Sequence, residues 1–292
     1  LFVGAPGSGK TMIARRIPGI LPQLTRDEAL EVSRIYSVSG LLEPDSPLLS
    51  ERPFRSPHHT VSAFALAGGG KVPKPGEVSL AHKGVLFLDE LPEFSHGALE
   101  VLRQPLEDRK VCIARVQATY TFPADCMLVA AMNPCRCGYY PDRSRCQCSE
   151  QEVRRYLQKI SRPLLDRMDL CIEAPPVSYR DFGENRRNET SAEIRNRVEA
   201  AWARQRARFS GEDILFNSRM QGKDIERCCP LTSGCRALLE QVYARLGLSA
   251  RAYHRILKVA RTIADLDGAG DISEIHLSEA VSYRSMDRKF WG

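Results

Sequence analysis

Eight residues near the start of the chain, Gly4-Ala5-Pro6-Gly7-Ser8-Gly9-Lys10-Thr11, match the pattern G-x-x-x-x-G-K-[ST] without a mismatch. Such a loop turns backbone N–H groups toward phosphate oxygens. Its Lys neutralises the β/γ oxygens of a nucleotide, and the hydroxyl that follows ligates Mg²⁺. The flanks supply the required context: apolar Leu1-Phe2-Val3 reads as a strand, and Met12-Ile13-Ala14-Arg15-Arg16 suits a helix. Gly4, Pro6, Gly7, Ser8, Gly9, Lys10, Thr11 and Met12 are therefore the candidate nucleotide-binding residues. A nucleotide and Mg²⁺ are the cofactors this chemistry requires.

A second element is needed to separate hydrolysis from mere phosphate binding. Gly84-Val85-Leu86-Phe87-Leu88-Asp89-Glu90 is an apolar run ending in two carboxylates, which reads as a buried parallel strand delivering acids at its C-terminal end. Asp89 is placed to hold Mg²⁺ together with Thr11, and Glu90 to accept the proton of an attacking water. Cys126 to Met132 is another buried strand, and Asn133 at its end can orient that water or touch the γ-phosphate. Arg167, in Leu164-Leu165-Asp166-Arg167-Met168-Asp169, can reach a neighbouring subunit's γ-phosphate as an arginine finger, or else pair locally with Asp166 or Asp169. Arg251 opens a later helix, where it can sense nucleotide or simply face solvent.

Four thiols form a second chemical cluster. Cys135-Arg136-Cys137 and Cys146-Gln147-Cys148 lie within fourteen residues, enough to close one tetrahedral zinc site. The C-x-C spacing strains a shared tetrahedron, so reduced thiols and labile disulfides stay open as alternatives. The other six cysteines (112, 126, 171, 228, 229 and 235) read as reduced, buried or incidental thiols. His58-His59 reads as a polar loop, because adjacent histidines point apart and seldom share a metal.

The elements that must position these groups are legible in outline. Pro18-Gly19 ends the first helix pattern, and Thr25-Arg26-Asp27-Glu28 is a capping box for a second helix through about Ser37. Residues 39–83, rich in Gly, Pro, Ser and His, are too long for a structureless loop and read as a functional insertion. Ser95 caps a helix through about Asp108, residues 111–122 alternate like a hairpin, and Leu170 to Ala174 is a short last strand. Ser149 and Thr190 begin further capping boxes. Beyond Pro175-Pro176 three apolar stripes at helical spacing follow, through Ala201, Leu239 and Ile256. The expectation is an α/β domain over residues 1–178 and a helical lid over 179–292.

At 292 residues, with 43% hydrophobic and 27% charged residues, the composition is that of an ordinary globular protein. No apolar run approaches the ~20 residues that span a bilayer, and no signal-like start is present, which excludes a membrane reading and suggests a cytoplasmic protein. A strand beginning at residue 1 reads as a cut, so the sequence is expected to be a fragment. Of the 42 basic residues 33 are Arg, suited to bidentate phosphate contact, but a net charge of +6 does not by itself establish nucleic-acid binding. Lys71, Lys74 and Arg115 either face a central pore, where they would grip DNA phosphates without reading sequence, or are solvated loop charges.

Taken together, the chain resembles the AAA+ ATPases, with Walker A at residues 4–11, Walker B at 85–90, sensor 1 at Asn133 and sensor 2 at Arg251. More narrowly it resembles the magnesium-chelatase-related YifB/ComM family. That likeness is carried by Arg52-Pro53-Phe54-Arg55-Ser56-Pro57-His58-His59-Thr60, Pro75-Gly76-Glu77-Val78-Ser79-Leu80-Ala81-His82 and Val129-Ala130-Ala131-Met132-Asn133-Pro134-Cys135. The resemblance implies a helix-2 insertion near residues 50–80, a pre-sensor-1 hairpin near 110–123, a hexameric ring, and a role in DNA processing such as the branch migration of ComM proteins. It also implies an N-terminal Lon-protease-like domain, expected to lie outside this fragment. Two other outcomes stay open: a chelatase-type ATPase subunit driving metal insertion, and an ATP-binding assembly module with little turnover.

Overall fold

The computed structural model describes residues 1–43, 45, 48–116, 118–176 and 189–291. The expected domain boundary at 178/179 lies outside the described residues. The N-terminal part is an α/β unit around five parallel strands: β1 (Phe2–Gly4), β2 (Phe54–Arg55), β5 (Val85–Leu88), β8 (Met127–Met132) and β9 (Ile172–Ala174), in the order β2-β5-β8-β1-β9. Every residue of β5 is buried, because helices cover both faces of a parallel sheet and leave no wet side for polar residues. Its register against β8 pairs Val85 with Met127 and Leu88 with Ala130. Since all five strands run the same way, β1, β5 and β8 deliver Gly4, Asp89 and Asn133 to one edge.

Helix α1 (Lys10–Ile20) leaves the phosphate loop directly and runs through Pro18 and Gly19, past the break expected there. Pro18 removes only one hydrogen bond close to the helix end, and Leu21 N–H still reaches the Pro18 carbonyl. Helix α2 (Arg26–Ser39) begins on the expected capping box: Thr25 Oγ1 accepts from Glu28 N–H, and Thr25 N–H donates to Glu28 Oε2 at 3.1 Å. The boxes at Ser149 and Thr190 form likewise.

The single helix expected after Ser95 is instead two, His96–Glu100 and Arg103–Asp108. Pro105 explains the break, since its ring cannot donate to, and clashes with, the Val101 carbonyl four residues back.

The 39–83 insertion is structured among its described residues. It carries β2, the short helices Ala63–Ala67 and Glu77–Leu80, and a two-stranded ladder of β3 (Gly68–Gly69) and β4 (Lys74–Pro75). Arg52 and Arg55 are its anchors. Arg52 donates to the Pro22 and Lys83 carbonyls at 2.5 and 2.7 Å, and Arg55 forks onto Glu77 at 2.7 and 2.8 Å. The expected hairpin is β6 (Lys110–Ala114) with β7 (Thr119–Pro123).

The C-terminal part is helical: Ser191–Arg208, Gly222–Cys228, Ser233–Leu246, Ala250–Asp267 and Glu274–Trp291. Its core includes Leu239, Ile256, Leu257 and Ala260, as the stripes require. Only Ala201 of the first stripe is buried, with Ile194, Val198 and Trp202 half-buried, and in the second Leu238 and Val242 are likewise half-buried around Leu239. The helix of the first stripe also lies along α1, with Arg195 Nε donating to the Gly19 carbonyl at 2.9 Å and Arg52 stacked 5.4 Å over Trp202. Buried Asp265 organises the lid, accepting from Arg208 and Asn217, both at 2.8 Å. No described helix is long and apolar enough to cross a membrane.

Candidate nucleotide site

The phosphate loop closes between β1 and α1. Gly7 and Gly9 take φ of +78° and +79°, a region that a side chain would disfavour and that left-handed turns of anion-binding loops use. Lys10 is 8% exposed. Its Nζ donates to the Gly4 and Ala5 carbonyls, both at 2.8 Å, and approaches Asn133 Oδ1 at 3.3 Å. Burial pulls the Lys10 pKa below its ordinary value, with Asp89 opposing. The 123 residues separating Lys10 from Asn133 in sequence are closed by the β1–β8 pairing.

Thr11 and Asp89, the expected Mg²⁺ holders, converge. Thr11 Oγ1 donates to Asp89 Oδ2 at 2.6 Å, so two hard oxygen donors share one spot beside the loop. Asp89 Oδ1 accepts the Glu90 N–H at 2.9 Å, and Glu90 has left-handed φ of +51°. That conformation costs a non-glycine residue about 1–2 kcal/mol, and the Glu90 side chain is exposed. Glu90 is met there by His59, whose Nδ1 lies 3.2 Å from Glu90 Oε2. Ser8 is buried beneath the loop, whereas Pro6, Gly7, Met12 and Ile13 face outward. Two hard oxygens, a buried ammonium and a glycine-turned anion cradle on one edge fit Mg²⁺ and a nucleotide's phosphates.

Arg167 and Arg251 are brought to each other rather than to the phosphate loop. Arg167 pairs closely with Glu107, and Arg251 approaches the other oxygen of that carboxylate at 3.5 Å. Neither Asp166 nor Asp169 takes Arg167, because they face Arg284 and Arg255. The two arginines line a cavity of about 1200 Å³ between the α/β unit and the C-terminal helices. The phosphate loop opens instead on a cleft of about 330 Å³ that Gly4, Ala5, Pro134 and Gly138 line. Neither space is lined by Lys10, Thr11 or the acid pair.

The family description "Magnesium chelatase, subunit ChlI" matches residues 1–182, and its C-terminal counterpart matches residues 188–284. The chain belongs to the magnesium-chelatase-related YifB/ComM family of AAA+ ATPases. Competence protein ComM of Haemophilus influenzae is 48% identical over 99% of this chain and 56% of its own length. The uncharacterized protein YifB of Salmonella typhimurium is 45% identical over the same shares. The magnesium-chelatase 67 kDa subunit of Chlorobaculum parvum is 28% identical over 59% of this chain and 22% of its own length. The chain thus spans about half the length of the YifB and ComM relatives it matches.

Within this AAA+ frame, His59 and Glu107 are partners of candidate site residues that the sequence did not single out. The Arg52–Thr60 stretch did carry a signal for His59, since it recurs in the family resemblance. Glu107 carried none, being one acid in a charged helix end.

Proposed function

We propose that this chain is the motor of a ring-forming, Mg²⁺-dependent ATPase that acts on DNA. The observation carrying the reading is the 2.6 Å contact of Thr11 with Asp89 beside Lys10, with Glu90 next in the chain. Lys10 and the loop N–H groups bind the phosphates. Thr11 and Asp89 hold Mg²⁺, which supplies neutralisation of phosphate charge when bound. Glu90 takes the proton of the attacking water, while Asn133, hydrogen-bonded to Lys10, keeps that water in line.

Arg167 and Arg251 complete the site from a neighbouring copy, a reading supported by their shared partner Glu107, which holds both within one chain. The support for DNA is the meeting of two projecting tips. Arg115 Nη2 donates to the Gly70 carbonyl at 3.2 Å, which sets the β6–β7 tip beside exposed Lys71 and Lys74. Phe64, Val72 and Val116 are 74%, 74% and 106% exposed around them, apolar surface of the sort that packs on bases.

The test is ATP turnover with and without branched DNA across a salt series. DNA stimulation that falls as salt rises supports the reading. ATPase activity indifferent to every nucleic acid favours the chelatase-type motor that the Chlorobaculum likeness suggests.

A further inference from the structure

The loop that follows Asn133 folds the four clustered thiols onto one point. The Sγ atoms of Cys135, Cys137, Cys146 and Cys148 all lie within 4.8 Å of one another. Cys135 stands 3.3 Å from Cys137 and 3.8 Å from Cys146, and Cys137 stands 3.6 Å from Cys146. A zinc tetrathiolate with bonds of about 2.3 Å has sulfur–sulfur edges of about 3.8 Å, so these separations match a tetrahedron and not a bonded pair. All four are free thiols, with Cys135 and Cys146 buried. Four thiols turned inward on one centre gain nothing from packing alone, because free cysteines in a core pack as separate small hydrophobes.

The surroundings suit a thiolate cage. Tyr140 N–H donates to Cys135 Sγ at 3.4 Å, the kind of backbone bond that steadies sulfur charge. The loop also carries Arg136, Arg143 and Arg145, which offset the net negative charge of a zinc tetrathiolate. Arg145 and Arg143 are fixed by stacking on Tyr139 and Tyr140, 4.0 and 5.1 Å from the ring centroids.

We propose that Cys135, Cys137, Cys146 and Cys148 form a structural zinc site that braces the phosphate loop. The mechanical links are short. Cys135 is two residues from Asn133, which contacts Lys10. Gly138, at φ +90°, packs so tightly on Pro6 that an added Cβ would lie 2.5 Å from the proline Cδ. On its other side the loop sets Tyr140 edge-on to Phe290 of the last helix, at 6.4 Å. One metal therefore ties the phosphate loop, the Asn133 strand end and the C-terminal helix together.

The test is elemental analysis of the full chain, purified reduced and without chelator. The expected result is one equivalent of zinc, retained in Cys112→Ser and lost in Cys135→Ser and in Cys146→Ser. Should those variants fail to fold, Co²⁺ substitution of the wild-type chain gives a second readout, the intense visible bands of a tetrahedral thiolate site. Metal-free reduced protein whose four thiols titrate at once with a thiol reagent overturns the site. Stripping zinc with a mercurial and chelator is then expected to weaken binding of a fluorescent ATP analogue roughly tenfold, a loss typical of misplaced positioning groups. Unchanged affinity overturns the bracing role. That last readout rests on the proposed nucleotide site, whereas metal content does not, so the two fail separately.

Discussion

His59 Nδ1 and Glu90 Oε2 lie 3.2 Å apart at the C-terminal edge of the sheet, 31 residues distant in sequence. The ring holds the one carboxylate of the acid pair that is not tied to Thr11. It stacks on His58 at 4.0 Å and meets Phe94 edge-on at 6.5 Å, so its position is set by packing rather than by the loop alone.

Removing the base should therefore separate binding from turnover. Glu90→Gln is expected to bind ATP as the wild type does and to hydrolyse it about 10²–10⁴-fold more slowly. His59→Ala is expected to alter kcat less, with nucleotide affinity unchanged. Equilibrium binding beside steady-state turnover checks both.

Arg167 and Arg251 make a prediction about neighbours. Arg167→Ala should leave nucleotide binding intact and cost about 10³-fold or more in turnover, as loss of an arginine finger does. Mixing Arg167→Ala chains with Lys10→Ala chains should restore part of the activity, because each supplies what the other lacks across a shared site. A mixture no more active than its parts shows that Arg167 acts within its own chain.

The paired tips predict the salt behaviour of DNA binding. Lys71→Glu and Arg115→Glu should each weaken DNA binding across all sequences and lower the salt slope by about one phosphate contact. Fluorescence anisotropy over a salt series measures both quantities.

His82 predicts the acid limb of stability. It is 3% exposed, accepts the Asp125 N–H at Nδ1 and reaches Glu31 through Nε2 at 3.0 Å, an arrangement of the neutral ring. Burial pushes its pKa below the ordinary value, the Glu31 bond opposing. Stability from the neutral ring is thus complete above the unfolded-state pKa of about 6.5, and is lost as pH falls toward the lower folded value. Thermal melts between neutral and mildly acid pH should slope downward for wild type and less so for His82→Gln.

Local signals were legible in the sequence where one mechanism acts alone. The capping boxes at Thr25, Ser149 and Thr190, the apolar run of β5 and the thiol spacing each report a local rule, and each element formed where that rule put it. The helix after Ser95 was misread because Pro105 acts on a carbonyl four residues away, while Pro18 was tolerated because it sits near a helix end. Contacts such as His59 with Glu90 and Arg167 with Glu107 arise from the strand order β2-β5-β8-β1-β9 and the lid's packing, which no local spacing encodes.

The most direct measurement is Mg²⁺-dependent ATP turnover by this chain and by its Lys10→Ala variant, with ATP binding followed in parallel. Loss of the Lys10 ammonium removes charged hydrogen bonds worth about 1.5–3 kcal/mol, so binding should weaken roughly 10–150-fold and turnover should vanish with it. Wild-type binding and hydrolysis surviving in Lys10→Ala would contradict the assignment of the Gly4–Thr11 loop as the nucleotide site.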